Sequence, residues 1–85
     1  MIVKCVVAGY TLAGEPDFYF CNVECTKEEF DSRDHCATAE AEAEANSGFE
    51  PDNMVVFDEF DGPDWLFKYF AWHTATTVRA AGDDD

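Results

Sequence analysis

Eighty-five residues suit a single domain, since a chain this short buries only a modest share of its surface and cannot furnish two cores. Hydrophobic residues make up 47% and aromatics 15%, too much apolar material for a disordered acidic tail, so the chain is expected to fold. Nineteen acidic residues against five basic ones give a formal net charge of -14. That balance disfavours nucleic acid and anionic membranes as direct partners, because both are held through Lys and Arg, and favours a basic protein surface.

Residues 2 to 10 read as a strand, with Val3, Cys5 and Val7 on one face and Ile2, Lys4, Val6 and Ala8 on the other. The apolar run is too short to span a bilayer, and Leu12-Ala13-Gly14-Glu15 makes a poor cleavage site, so neither a membrane anchor nor a secretory leader is expected. Cys5, Cys21, Cys25 and Cys36 are then most simply free thiols in a reducing cytoplasm, although four cysteines permit three pairings elsewhere. Gly14 and Pro16 punctuate a turn, and Phe18 to Cys25 forms a second strand paired to the first as a hairpin. Thr26-Lys27-Glu28-Glu29 has the capping-box form and starts a helix. Asp31 to Asp34 interrupts it, with Ser32 or Asp34 as the new cap for a main helix running through Asn46.

Alternate alanines from 37 to 45 favour that helix and keep it thin, and Ser47-Gly48-Phe49 is a good stop. Glu50 to Asn53 reads as a turn, Met54 to Phe60 as a third strand, and Asp61 to Asp64 as another turn. Trp65 to His73 is ambiguous: its aromatics favour a fourth, hairpin-paired strand, whereas Pro63 and Asp64 suit the start of a short helix. The strand is the reading adopted. From Thr74 onward the chain thins to small and acidic residues and is expected to fray. The expected architecture is α+β: an antiparallel three- to four-stranded sheet with one helix packed on a face, in the order β-β-α-β-β. It occupies residues 1–81 as a single domain, followed by an acidic C-terminal tail at 82–85.

Three kinds of chemistry can be set against this frame. Cys21, Cys25, His35 and Cys36 are of the types that bind zinc. Two cysteines four apart on a strand, however, lie roughly 13 Å from each other by the rise per residue, and cysteine is also a small core hydrophobe, so the core reading is preferred. Cys-His nucleophilic catalysis has two candidate histidines, His35 and His73, but no oriented third group or oxyanion loop, and a non-catalytic protein is expected. Paired carboxylates at Asp58-Glu59 and Asp61-x-x-Asp64 lack the register of a calcium loop and read as solvated turns.

The charge pattern itself is the feature to build on. Glu40 and Glu44 stand one helical turn apart, about 6 Å, in an exposed row with no lysine placed to relieve their repulsion. With Glu28, Glu29, Asp31 and Asp34 before them and Asp58, Asp61 and Asp64 after, they compose a negative field that would steer association with a basic groove. In the segment from Trp65 to Trp72 only Lys68 is polar, and a thin helix covers a single sheet face. Leu66, Phe70 and Trp72 are therefore candidates for an apolar interface, in a self-dimer or in a partner's pocket, against the plainer reading that they complete the core.

Short length, high negative charge, a compact α+β body and a capping-box helix bearing carboxylates together resemble the small acidic inhibitors that bacteriophages make against host defences, including anti-CRISPR and anti-restriction proteins. The resemblance lies in composition and architecture and transfers no residue roles. It implies a non-catalytic DNA mimic in the host-cell cytoplasm, without cofactor, that blocks a nucleic-acid-binding complex such as a CRISPR effector. Two alternatives stand beside it: a small zinc-binding or thiol-redox module built on the cysteines and His35, and an acidic housekeeping domain whose charge serves hydration in a salt-loving host.

Overall fold

The computed structural model describes residues 1–72 and 76–80, the side chains of Ala71 and Trp72 excepted. Strands β1 (Ile2–Thr11) and β2 (Pro16–Glu24) are followed by helices α1 (Lys27–Asp31) and α2 (Asp34–Ser47) and by strand β3 (Phe49–Asp58). Helix α3 (Asp64–Lys68) runs into a 3₁₀ turn (Tyr69–Trp72), and strand β4 (Thr76–Arg79) completes the sheet. The strand order is β3-β1-β2-β4.

The hairpin forms as its alternation implies: β1 and β2 pair antiparallel without a register break, Cys5 facing Cys21 and Val3 facing Val23. Gly14 closes the turn at a φ of 82°, its N–H donating to the Thr11 carbonyl at 2.8 Å. Both arms of the Thr26/Glu29 capping box are made, at 3.1 and 2.7 Å, and they start α1. The break before α2 falls at Arg33, in the left-handed region at φ 64°, and no side chain caps the second helix. Ser32, one expected cap, instead donates its hydroxyl back to the Glu28 carbonyl at 2.7 Å. At the far end Gly48 (φ 66°) donates to the Glu44 carbonyl, and Phe49 folds back into the core.

Three expectations require correction. Trp65 to Trp72 is helical, not a strand: Pro63 and Asp64 begin α3, and the spacing of four between Leu66 and Phe70 turns both inward, leaving Trp65 and Tyr69 outside. Leu66 and Phe70 are thus core residues rather than an exposed interface; the Trp72 side chain and His73 lie outside the described residues. The segment expected to fray contains β4, which pairs parallel to β2 with Cys21 opposite Thr76 and Glu24 opposite Arg79, so the sheet is mixed and the helical elements number more than one. The reason is topological. β3 ends at one edge of the sheet, and α3 with the 3₁₀ turn carries the chain back across the face to the other edge, where the next strand enters in the same direction. Finally, β3 begins at Phe49 and includes residues 50–53, which form an irregularity in the ladder rather than a separate turn. The proposed tail at 82–85 lies outside the described residues.

The sheet therefore carries a layer on each face, the second only partial, with Tyr10, Phe18 and Val55 left exposed. On the first, Val3, Cys5, Val7, Cys21 and Val23 pack against Ala39 and Ala43 of α2, with Phe49 and Ala80 closing the ends. Alanine at the contact lets the helix axis approach the sheet, where each buried valine contributes about 1.5–3 kcal/mol. On the second face Val6 packs under Leu66 and Phe70, flanked by Phe20, Phe57 and Phe67. No helix among the described residues is long and apolar enough to cross a membrane.

Candidate functional site

The nine carboxylates singled out by charge pattern separate into two groups. Four are engaged. Glu29 pairs with Arg79 at 2.7 Å, Asp31 with Lys27 at 3.2 Å and Asp61 with Arg33 at 3.8 Å, so three of the protein's few cations are held by acids of α1 and the β3–α3 turn. The Arg79 guanidinium, with help from the Thr26 amide, holds the Glu29 carboxyl below its ordinary range. The fourth, Asp58, was expected in the exposed field, but its residue is only 2% exposed. Its position in β3 explains this: it shares the parity of Met54 and Val56 and faces the α2 layer opposite Cys5.

Asp58 is the hub of a buried polar cluster. Its Oδ2 lies 3.1 Å from His35 Nε2, and its Oδ1 accepts from the amides of Phe60 and Asp61, each at 2.9 Å. Burial works against the charged carboxylate, but the hydrogen bonds from His35 and the two amides outweigh it and hold the carboxyl below its ordinary value. His35 is fully buried and stacks on Phe30, with ring centres 4.8 Å apart. Its Nδ1 is enclosed without a hydrogen-bond partner.

Cys36 Sγ stands 3.6 Å from the same Nε2, which brings cysteine, histidine and aspartate into contact. A catalytic relay needs the carboxylate on one ring nitrogen and the nucleophile on the other; here both approach Nε2. Burial also raises the Cys36 thiol, with Arg33 only partly opposing it, so the sulfur is not a ready thiolate. The arrangement is that of a structural hydrogen-bond cluster. Sequence reasoning missed it because its partners are 23 residues apart on different elements, although the parity of Asp58 with Val56 and Met54 was the available signal.

The proposed zinc ligands are likewise not assembled. Cys21 and Cys25 are buried on the α2 side of the sheet, and His35 and Cys36 belong to the Asp58 cluster. Among the described residues no three His, Cys, Asp or Glu side chains form a group able to hold a metal. Burial raises the Cys5 thiol and pushes that of Cys21 up to about 12, as befits core residues.

The second group of carboxylates is Glu28, Asp34, Glu40, Glu44 and Asp64, which form no ion pair among the described residues. Helix α2 contains no Lys or Arg. Its exposed ridge is Ala37, Ala41 and Ala45, flanked on one side by Glu40 and Glu44 and on the other by Glu42. Asn46 donates to Glu42 at 3.2 Å, fixing that side. Of the flanking carboxylates Glu44 is exposed, and Glu40 and Glu42 are half-buried. No protein-family model, curated protein or solved structure matches the chain.

Proposed function

We propose that this protein is a non-catalytic binder of a basic protein surface, acting as a DNA mimic toward a nucleic-acid-binding complex of the kind that phage-encoded anti-CRISPR and anti-restriction inhibitors block. The observation that carries the reading is α2: Asp34, Glu40, Glu42 and Glu44 stand on a helix that contains no Lys or Arg, while Lys27, Arg33 and Arg79 are engaged elsewhere. The contact set narrows to Glu28, Asp34, Glu40, Glu44 and Asp64, because Glu29, Asp31 and Asp61 are already paired and Asp58 is internal. A cationic groove that receives α2 gains charge-assisted contacts where phosphates would lie, and the fixed scaffold limits the ordering cost of forming them.

The test is capture of purified CRISPR effector complexes and nucleases on the immobilised protein between 50 and 500 mM salt, with double-stranded DNA as competitor. Binding should weaken steeply with salt, compete with DNA, and fall at least tenfold in the Glu40→Lys/Glu44→Lys variant. Capture that is indifferent to salt or to that variant rules the mechanism out.

A further inference from the structure

The outer edge of β3 carries backbone hydrogen-bonding groups that no other described strand takes up, because β3 ends the sheet. The Glu59 amide donates to the Lys4 carbonyl at 3.0 Å. By alternation, the backbone groups of Phe57 and Val55 turn toward β1, and those of Met54, Val56 and Asp58 turn outward. The turn that follows uses the Asp58 carbonyl, which accepts from the Asp61 and Gly62 amides at 3.2 and 2.8 Å. Nothing among the described residues does the same for Met54 and Val56. The first half of the strand is guarded by Pro51 and by residues 50–53, which leave the ladder beside Gly9, where a Cβ would sit 2.5 Å from the Asn53 carbonyl oxygen. Met54 to Phe57 hold no proline and no charge, the usual devices that keep an edge from pairing.

The acidic row of α2 stands over this edge. Asn46 donates to the Tyr19 hydroxyl of β2 at 3.3 Å and to Glu42 on the same flank, so the opposite flank, Glu40 and Glu44, is turned to the β3 side. A right-handed crossover from β2 past β1 to the parallel strand β3 gives the same orientation. α2 and β3 run antiparallel, joined through Gly48 and held at the far end by His35 on Asp58. Counted from that contact, Glu40 and Glu44 stand about 7.5 and 13.5 Å along the helix, and Val56 and Met54 about 6.7 and 13.4 Å along the strand. Each carboxylate is thus level with one of the two outward-facing residues.

We infer that the β3 edge takes an extended segment of a basic protein as an added strand, with Lys or Arg opposite Met54 and Val56, where side chains rise on the α2 side to Glu40 and Glu44. The residue between them is apolar and lies beside Val55, which is 56% exposed. Backbone pairing supplies the binding, and the alternating pattern supplies the selectivity. Charge selects this occupant over a second copy. An antiparallel pair of β3 strands would set the Glu40/Glu44 rows of two helices against each other, and α2 contains no Lys or Arg to relieve them. The inference rests on the reading above that the partner is basic, and adds how that partner is held.

The probes are blocked peptides titrated into isotope-labelled protein by NMR: Lys-Val-Lys-Val-Lys, its acidic counterpart Glu-Val-Glu-Val-Glu, and two N-methylated forms of the first. One form is methylated on the lysines, whose amides would face β3, and the other on the valines, whose amides would face away. The basic peptide should shift the Met54 and Val56 amides and slow their exchange with solvent. Methylation on the lysines should weaken binding about fivefold or more, as should Glu40→Gln/Glu44→Gln, whereas methylation on the valines should leave it unchanged. Val56→Pro, which removes one outward amide and whose melting curve reports that the fold is kept, should weaken it similarly. Equal binding of the two methylated forms, or of the acidic peptide, overturns the inference. So do shifts confined to α2, or sedimentation showing β3 edges paired between two copies. Capture of a nucleic-acid-binding complex that ignores Val56→Pro but is lost in Glu40→Lys/Glu44→Lys removes this inference alone. Peptide pairing at β3 without capture of any such complex removes only the earlier proposal.

Discussion

Replacing Asp58 with alanine removes three interactions at once, and the structure sets the scale of the loss. His35 Nε2 loses its carboxylate partner inside a ring whose Nδ1 is already unpartnered, which costs about 1–3 kcal/mol for an unsatisfied buried group. The amides of Phe60 and Asp61 lose a bond of about 1 kcal/mol each. The sum is about 3–5 kcal/mol, a large part of the roughly 5–10 kcal/mol that holds a domain of this size. With a urea slope of about 1–1.5 kcal/mol per molar, the unfolding midpoint followed by tryptophan fluorescence should fall by roughly 2–5 M.

Asparagine is the milder change, since its oxygen still serves the two amides and its NH₂ can donate to a neutral ring. The sign with pH follows from the lowered carboxyl of Asp58. A group depressed in the folded state contributes stability above its unfolded pKa, about 3.9, and loses it as pH falls through the folded value. The gap between wild type and Asp58→Asn should therefore be full at pH 6 and shrink below about pH 4. A shift under about 0.5 M for the alanine variant, or a gap that stays constant from pH 6 to pH 3, would refute the assignment of Asp58 as the hub.

Gly9→Ala should cost about 1–3 kcal/mol, because the atom it would strike is backbone and β3 must move, and a thermal melt will show it. Raising salt from 20 to 500 mM should raise the melting temperature by several degrees, as screening relieves the self-repulsion of a chain at -14; unfolding outright in dilute buffer would instead favour a salt-adapted housekeeping domain. Thiol labelling of the native protein at pH 8 should modify Cys36 first and reach Cys5, Cys21 and Cys25 only on unfolding, since those three are buried and Cys36 is partly exposed.

What could be read from the residues divides along the range of the interactions involved. The hairpin, the capping box at Thr26 and the stop at Gly48 are written in a few consecutive residues, and each forms as expected. α3 was misread because aromatic residues favour strands when neighbours are unknown, and the Pro63-Asp64 start signal was outweighed. β4 was missed because Thr76 to Arg79 has little character of its own: it is held by β2 and by Arg79, which bonds Glu29 and the Glu24 carbonyl. The acidic field was half legible. Counting carboxylates picks out Glu40 and Glu44 on α2, and the parity of Asp58 with Met54 and Val56 points it inward, but nothing local announces that Arg33 reaches Asp61, that Arg79 reaches Glu29, or that His35 is the partner of Asp58.

The parallel pairing of β4 with β2 bears on how the molecule assembles. Arg79 joins a strand residue 55 positions earlier, and bringing such distant segments together forfeits chain entropy of about 3–4 kcal/mol before any contact rewards it. Local events, the hairpin and the two adjoining helices, come first on that ground; the outermost strand docks late. Until it does, β2 offers an unoccupied hydrogen-bonding margin, so a nascent chain caught at that stage is open to strand exchange with a neighbour, and the pairing of β4, with Arg79 bound to Glu29, closes that window.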